Sequence, residues 1–170
     1  MDYALPPLGE PEERFMSAAL AQARLSAADG EVPVGAVIVK DGEIISVGRN
    51  SRETGKSALA HAELEAIGKA CETLGGWRLW QCELYVTLEP CPMCAGAIIN
   101  SRLRRVVYGA SDSKAGSCGS VVNLFDLPYN HRPEVVAGFM GDECGRLLTE
   151  FFREMRNRRK KERKEYHEHS

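Results

Sequence analysis

Leu84-Tyr-Val-Thr-Leu-Glu-Pro-Cys-Pro-Met-Cys-Ala-Gly-Ala-Ile-Ile-Asn100 changes character in mid-course. Leu84 to Leu88 is a short apolar run and predicts a buried strand. Pro92 to Asn100 predicts a helix, because proline fits the first helical position, where its missing N–H removes no bond. Downstream, Arg105-Val-Val-Tyr-Gly109 is another strand. Upstream, His61 to Leu74 is a helix closed by Gly75-Gly76. Further out, Val34 to Lys40 and Glu43 to Val47 flank Asp41-Gly42, a strong hairpin turn. Residues 12–28 place Phe15, Met16, Ala19, Leu20 and Ala23 at helical spacing. Glu134 to Ala137 reads as a short strand. A last helix from about Asp142 carries Cys144, Leu147, Leu148, Phe151, Phe152 and Met155 on one stripe. A hairpin followed by alternating helices and strands predicts an α/β fold with a mixed sheet.

The chain has 170 residues, 44% hydrophobic and 27% charged, which suits one folded domain and excludes a collagen-like or broadly disordered polymer. No apolar run approaches the ~18 residues of a membrane span. Met1 to Pro7 lacks the basic and apolar regions of a signal peptide, so the expectation is a cytoplasmic protein with no membrane contact. Residues 1–11 read as a flexible leader, 12–158 as the folded domain and 159–170 as a basic, frayed tail.

The net charge of −2 averages two unlike parts. Residues 1–150 hold 14 Lys/Arg and 20 Asp/Glu, whereas 151–170 hold 8 and 4. The basic end suits a polyanion, with a solvated helix end as the plainer reading.

Cysteines lie at 71, 82, 91, 94, 118 and 144. Without an export signal they read as thiols rather than disulfides, and the scattered ones as small core residues. The close pair differs. Cys91 falls at the N-cap of the Pro92 helix and Cys94 in its first turn, where free N–H groups and the helix dipole favour thiolate. Two such thiolates form half of a soft-metal site.

His61-Ala62-Glu63 opens the preceding helix. Glu63 shares an apolar stripe with Ile67 and Leu74, so its carboxylate is expected to point inward, where a charge needs a partner. Residues two apart are about 160° apart around a helix, so His61 and Glu63 can serve one site only beyond the helix N-terminus. Two N-termini meeting over the sheet would join His61, Cys91 and Cys94 around one zinc ion per subunit. Three protein ligands leave the fourth position for water, as in catalytic zinc sites; a structural staple recruiting a distant cysteine would leave Glu63 unexplained. Zinc lowers the pKa of bound water to about 7, and Glu63 can shuttle its proton as catalytic base and acid. That chemistry suits hydrolytic loss of ammonia from an amidine-like carbon.

His61-Ala-Glu63 with Pro90-Cys91-Pro-Met-Cys94 resembles the signature of the zinc-dependent cytidine/deoxycytidylate deaminase family. Within it the resemblance extends to the bacterial tRNA adenosine deaminases. It runs through Glu31-Val-Pro-Val-Gly-Ala-Val37, Gly48-Arg-Asn50, Leu84 to Ala97, Arg105 to Ala110, Asn130-His-Arg132, Asp142-Glu-Cys144 and Phe151-Phe-Arg153. Roughly residues 12–158 are covered. Pro92 departs from the more usual Val, and the 126–132 loop is slightly short.

The resemblance implies a three-layer cytidine-deaminase-like fold with helices on both faces of the sheet, and a homodimer. It implies conversion of adenosine to inosine at the anticodon wobble position of a tRNA, an arginine tRNA with an ACG anticodon first among candidates. It places Asn50 on the flipped-out adenosine and Asp112, Asn130, His131 and Arg132 along the RNA strand, while Arg153, by its charge, could reach phosphates. Without the resemblance, Asn50 reads as a loop amide capping backbone. Arg156, Arg158, Arg159, Lys160 and Lys161 add cations that could reach phosphates. A deaminase of free guanine or cytidine and a zinc-stabilised RNA-binding module are the alternatives.

Overall fold

The computed structural model describes residues 9–168. Helix α1 (Glu10–Ala28) leads into the hairpin β1 (Gly35–Lys40) and β2 (Glu43–Arg49). Then follow α2 (Ala62–Leu74), β3 (Cys82–Leu88), α3 (Pro92–Ser101), β4 (Arg105–Ala110), β5 (Glu134–Ala137) and α4 (Gly141–Glu168). A single 3-10 turn, Leu124–Asp126, which the sequence reading did not anticipate, interrupts the long connection after β4.

The five strands lie in the order β2-β1-β3-β4-β5. β1 is antiparallel to β2 and β3, while β3, β4 and β5 are parallel, so the sheet is mixed as expected. Alternate residues of each strand face opposite sides. Ile38, Leu84, Val86 and Val106 join the core beneath α2 and α3, and Val37, Val39, Tyr85 and Val107 join the core beneath α1 and α4. The result is three layers.

The parallel pairing sets both ends of the sheet. Leu88 aligns with Ala110 and Glu83 with Arg105, so the segments after β3 and β4 emerge together. β1 runs the other way, and therefore its N-terminal approach, Glu31 to Val34, reaches the same end. Gly48 lets α2 sit directly on β2: a Cβ there would collide with the Ala62 carbonyl and the Ala66 nitrogen. This close approach carries the start of α2 to the same rim.

Three details differ from the sequence reading. α1 starts at Glu10, inside the expected leader; residues 1–8 lie outside the described residues. Leu74 is 39% exposed, because the last turn of α2 has passed beyond the strands it covers. α4 stays helical to Glu168, past residue 158, where the sequence reading ends the folded domain. Phe151 is 9% exposed but Phe152 is 44% exposed, so the stripe on α4 is narrower than its spacing suggested.

Candidate active site

His61 is the N-cap of α2 and Cys91 the N-cap of α3, each with extended backbone. Neither side chain caps its own helix, which leaves both free to turn toward each other. Cys94, one turn into α3, is buried. The Cys91 and Cys94 Sγ atoms lie 3.7 and 3.6 Å from His61 Nδ1. The three ligand atoms are within 4.8 Å of one another, and no further His, Cys, Asp or Glu joins that group among the described residues. Two sulfurs and one imidazole suit zinc, and three protein ligands leave a coordination position open.

The three side chains hold their protons unequally. Hydrogen bonding to Cys94, with a further contribution from His61, holds the Cys91 thiol down at about 4 despite burial. The Cys94 thiol is pushed up by its hydrogen bond to Cys91 and by burial. The hydrogen bond to Cys91 likewise raises the pKa of His61.

Glu63 is 3% exposed, with its carboxylate against this cluster and in contact with Cys94. Burial raises its pKa to about 7, opposed by a bond from its own backbone and by the charge of His61. A buried carboxylate beside a ligand set, but not part of it, is placed to hold and move a proton.

A cavity of about 200 Å³ opens onto these groups. Val32, Val34, Leu88 and Ala115 supply apolar wall, and Asn50, Arg52, Glu89 and Asp112 supply polar groups. Asn50 Nδ2 donates to the Val32 carbonyl at 3.0 Å, and its Oδ1 accepts from the Arg52 N–H at 3.2 Å. It therefore caps backbone, as the plainer reading held, and lines the cavity as well. Asp112 Oδ1 accepts from the Lys114 and Ala115 N–H groups at 2.9 and 3.2 Å, fixing the turn that forms one wall.

The other expected RNA contacts lie elsewhere. His131 Nε2 is 2.7 Å from the Leu103 carbonyl, just before β4, at the end of the sheet opposite the cavity. Arg132 pairs with Asp126 at 2.7 Å beside it, and Asn130 is exposed. Arg153 is exposed on α4.

Sequence reasoning missed two buried carboxylates that hold the cavity's loops. Glu31 accepts from the Glu53 and Thr54 N–H groups at 3.2 and 2.6 Å, tying down the 51–60 loop. Burial opposes its ionisation, yet these bonds keep its pKa below the ordinary carboxylate value. Glu89 accepts from Ser120 Oγ at 2.6 Å and its N–H at 3.3 Å, drawing in the 111–120 loop. Gly116 has to be glycine, because a Cβ there would collide with the Glu89 carboxylate. An acid inside the Leu84–Asn100 stretch that is neither ligand nor base was the available signal for Glu89.

Residues 10–110 match the family described as the cytidine and deoxycytidylate deaminase zinc-binding region. The chain belongs to this family. It is 49% identical over 154 residues to the tRNA-specific adenosine deaminase of Bacillus subtilis (strain 168), covering 90% of this chain and 96% of that one. Among solved structures, one from a study of A-to-I editing by tRNA:A34 deaminases at the wobble position superposes with a TM-score of 0.78. It is 44% identical and covers 80% of this chain and 99% of its own. A guanine deaminase from Nitrosomonas europaea superposes at 0.67 with 27% identity, covering 89% of this chain and 95% of its own. The deaminase zinc-binding region explains the His61, Cys91 and Cys94 cluster, and the chain is a zinc-dependent deaminase.

Proposed function

We propose that this protein converts adenosine to inosine at the wobble position of a transfer RNA. The observation that carries the chemistry is one cavity in which His61, Cys91 and Cys94 converge beside the buried Glu63. The substrate follows from relatives named tRNA-specific adenosine deaminase at up to 49% identity, against 27% and 37% for the guanine deaminases of Nitrosomonas europaea and Bacillus subtilis.

His61, Cys91 and Cys94 would hold zinc, which would supply Lewis-acid activation of a water molecule. Glu63 takes one proton from the attacking water and delivers it to ring N1, then takes the second from the hydroxyl formed at C6 and delivers it to the leaving nitrogen. A carbon–oxygen bond forms at C6, the C6–N6 bond breaks, and ammonia leaves, so adenosine and water give inosine and ammonia. Val32, Val34, Leu88 and Ala115 give an apolar wall to a cavity of about 200 Å³, a size that suits a single base. A base reaches it only when splayed out of its strand, as anticodon-loop bases can be. Asn50 and Asp112 stand at the cavity to orient that nucleotide, and exposed Arg153 is assigned to RNA phosphates; the Asn130-His131-Arg132 loop lies at the opposite end of the sheet, away from that nucleotide.

The catalytic unit is residues 12–158, acting as a homodimer in the cytoplasm. Exposed Leu59 and Val121, on the two loops that wall the cavity, offer apolar surface for a second copy. All six cysteines are free, which suits a reducing compartment, and no helix among the described residues is long and apolar enough to cross a membrane.

Ammonia release and inosine content test this with zinc-loaded protein. The assay compares an arginine tRNA bearing an ACG anticodon with free adenosine, cytidine and guanine. Inosine at the wobble position with the free compounds inert is expected. Turnover of guanine or cytidine with tRNA untouched overturns the RNA assignment and leaves the zinc chemistry standing.

A further inference from the structure

Beyond Met155 the last helix leaves the body of the protein, and every residue from Arg156 to Glu168 is exposed. A helix turns about 100° per residue, and this sorts the charges into two faces. Arg156, Lys160 and Arg163 fall on one stripe, flanked by Arg153 and Lys164. None of Arg156, Lys160 and Arg163 has an acid three or four residues away in either direction. Among the described residues none of the three makes an ion pair. Arg158 and Lys161 lie on the opposite face: Arg158 is four residues from both Glu154 and Glu162, and Lys161 is four from Glu165. Opposite charges at that spacing attract, and like charges repel. The stripe is therefore held against its own repulsion, whereas the other face is internally balanced.

The helix that carries the stripe packs beside the approach to the catalytic cavity, with the Arg158 face turned toward it. Near the start of α4, Cys144 packs on Gly109, at the end of β4. Further along, Leu147, Phe151, Met155 and Arg158 line a groove with Ala27 and Gly30, immediately before the Glu31 to Val34 approach to the cavity wall. Residues 156–168 contain no Leu, Ile, Val, Phe, Met or Trp, so the segment lacks the apolar face with which an amphipathic helix enters a bilayer. From Arg156 to Arg163 the stripe spans two turns, about 10 Å, a reach matching several backbone phosphates.

We propose that the Arg156, Lys160 and Arg163 stripe of α4 is a docking surface for the phosphate backbone of the paired RNA stem that carries the reacting loop. The proposal rests on the assignment of an RNA substrate to the cavity. Bound phosphates neutralise the stripe, and the helix acts as an arm that holds the stem while the loop base enters.

Two double variants remove the same charge from opposite faces: Lys160→Gln/Arg163→Gln on the stripe and Arg158→Gln/Lys161→Gln off it. Glutamine is a good helix former, and circular dichroism confirms that the helix persists. The probes are an anticodon stem-loop hairpin and a single-stranded oligonucleotide of the same loop, each bound across a salt series. For the hairpin, the stripe variant lowers the slope of log affinity against log salt by about 1–2, while the other variant leaves it unchanged. The single-stranded probe shows no difference, and kcat at saturating hairpin stays at the wild-type value. Equal losses in both variants, or an unchanged slope in the stripe variant, overturn the proposal. So does binding to phosphatidylserine vesicles that only the stripe variant loses while its hairpin slope is intact. Inosine formation by the wild type alongside an unchanged slope removes the stripe alone; no inosine from the wild type with either RNA removes the function assigned to the cavity.

Discussion

The N-termini of α2 and α3 and the free end of α4 are all built from helix, yet they solve opposite problems. At the first, His61, Cys91, Cys94 and Glu63 are packed into a rim where donor atoms stand within 4.8 Å and the carboxylate is 3% exposed. At the second, every residue from Arg156 to Glu168 is exposed to solvent. Proton transfer and metal binding demand fixed positions and low dielectric, which only burial between elements provides. Holding a polyanion demands only charges on one side, which the helical repeat supplies by itself. Substitutions at the rim should therefore act all-or-none, and substitutions on the arm in small increments.

The largest expected effect is loss of a ligand. Cys91→Ala should reduce the zinc content from one per chain to none and leave no measurable ammonia release; elemental analysis with the deamination assay checks both. Retained zinc with activity would mean that another residue completes the set.

Next comes Glu63→Ala, which should keep the zinc while lowering kcat by about 10²–10⁴. Metal loss in that variant would show Glu63 to be a ligand, erasing the division between holding metal and moving protons.

A smaller effect belongs to the loop anchor. Glu31→Gln should destabilise the fold by about 1–3 kcal/mol at neutral pH, because charge-assisted bonds to the Glu53 and Thr54 N–H groups are lost. The folded pKa of Glu31 lies below its unfolded value, so its contribution is complete above the ordinary carboxylate pKa and fades as pH falls through the lower folded one. Urea melts of both proteins should converge in that acidic range. A difference that persists there would assign the effect to packing instead.

Least of all, Phe152→Ala should change stability by no more than about 0.5 kcal/mol, against about 3 kcal/mol or more for Phe151→Ala. Equal losses in thermal melts would place Phe152 in a buried contact and extend the packed part of α4.

Particular elements show where reading from sequence succeeds. His61, Cys91 and Cys94 were legible because Pro92 marks a helix start and both cysteines then fall on its first turn. Glu63 was legible because a carboxylate on an apolar stripe is anomalous. The same stripe argument misled for Leu74 and Phe152, since periodicity gives a direction around an axis but not how far along it the neighbouring strands extend. Asn130, His131 and Arg132 could be recognised as a motif, yet their position at the far end of the sheet follows from β5 pairing with β4 from Glu134 and Arg105 onward.

The sequence by itself determined the order of elements, the three residues positioned to hold a metal and the inward-pointing acid beside them. These depend on spacing along one chain, and local geometry converts spacing into direction. Only the tertiary structure decided that Val32, Asn50, Leu88 and Asp112 wall one cavity, that Glu31 and Glu89 hold its loops, and that α4 packs beside its approach. Those facts depend on strand order and register, which bring distant segments to one end of the sheet through backbone hydrogen bonds and burial that no single segment contains.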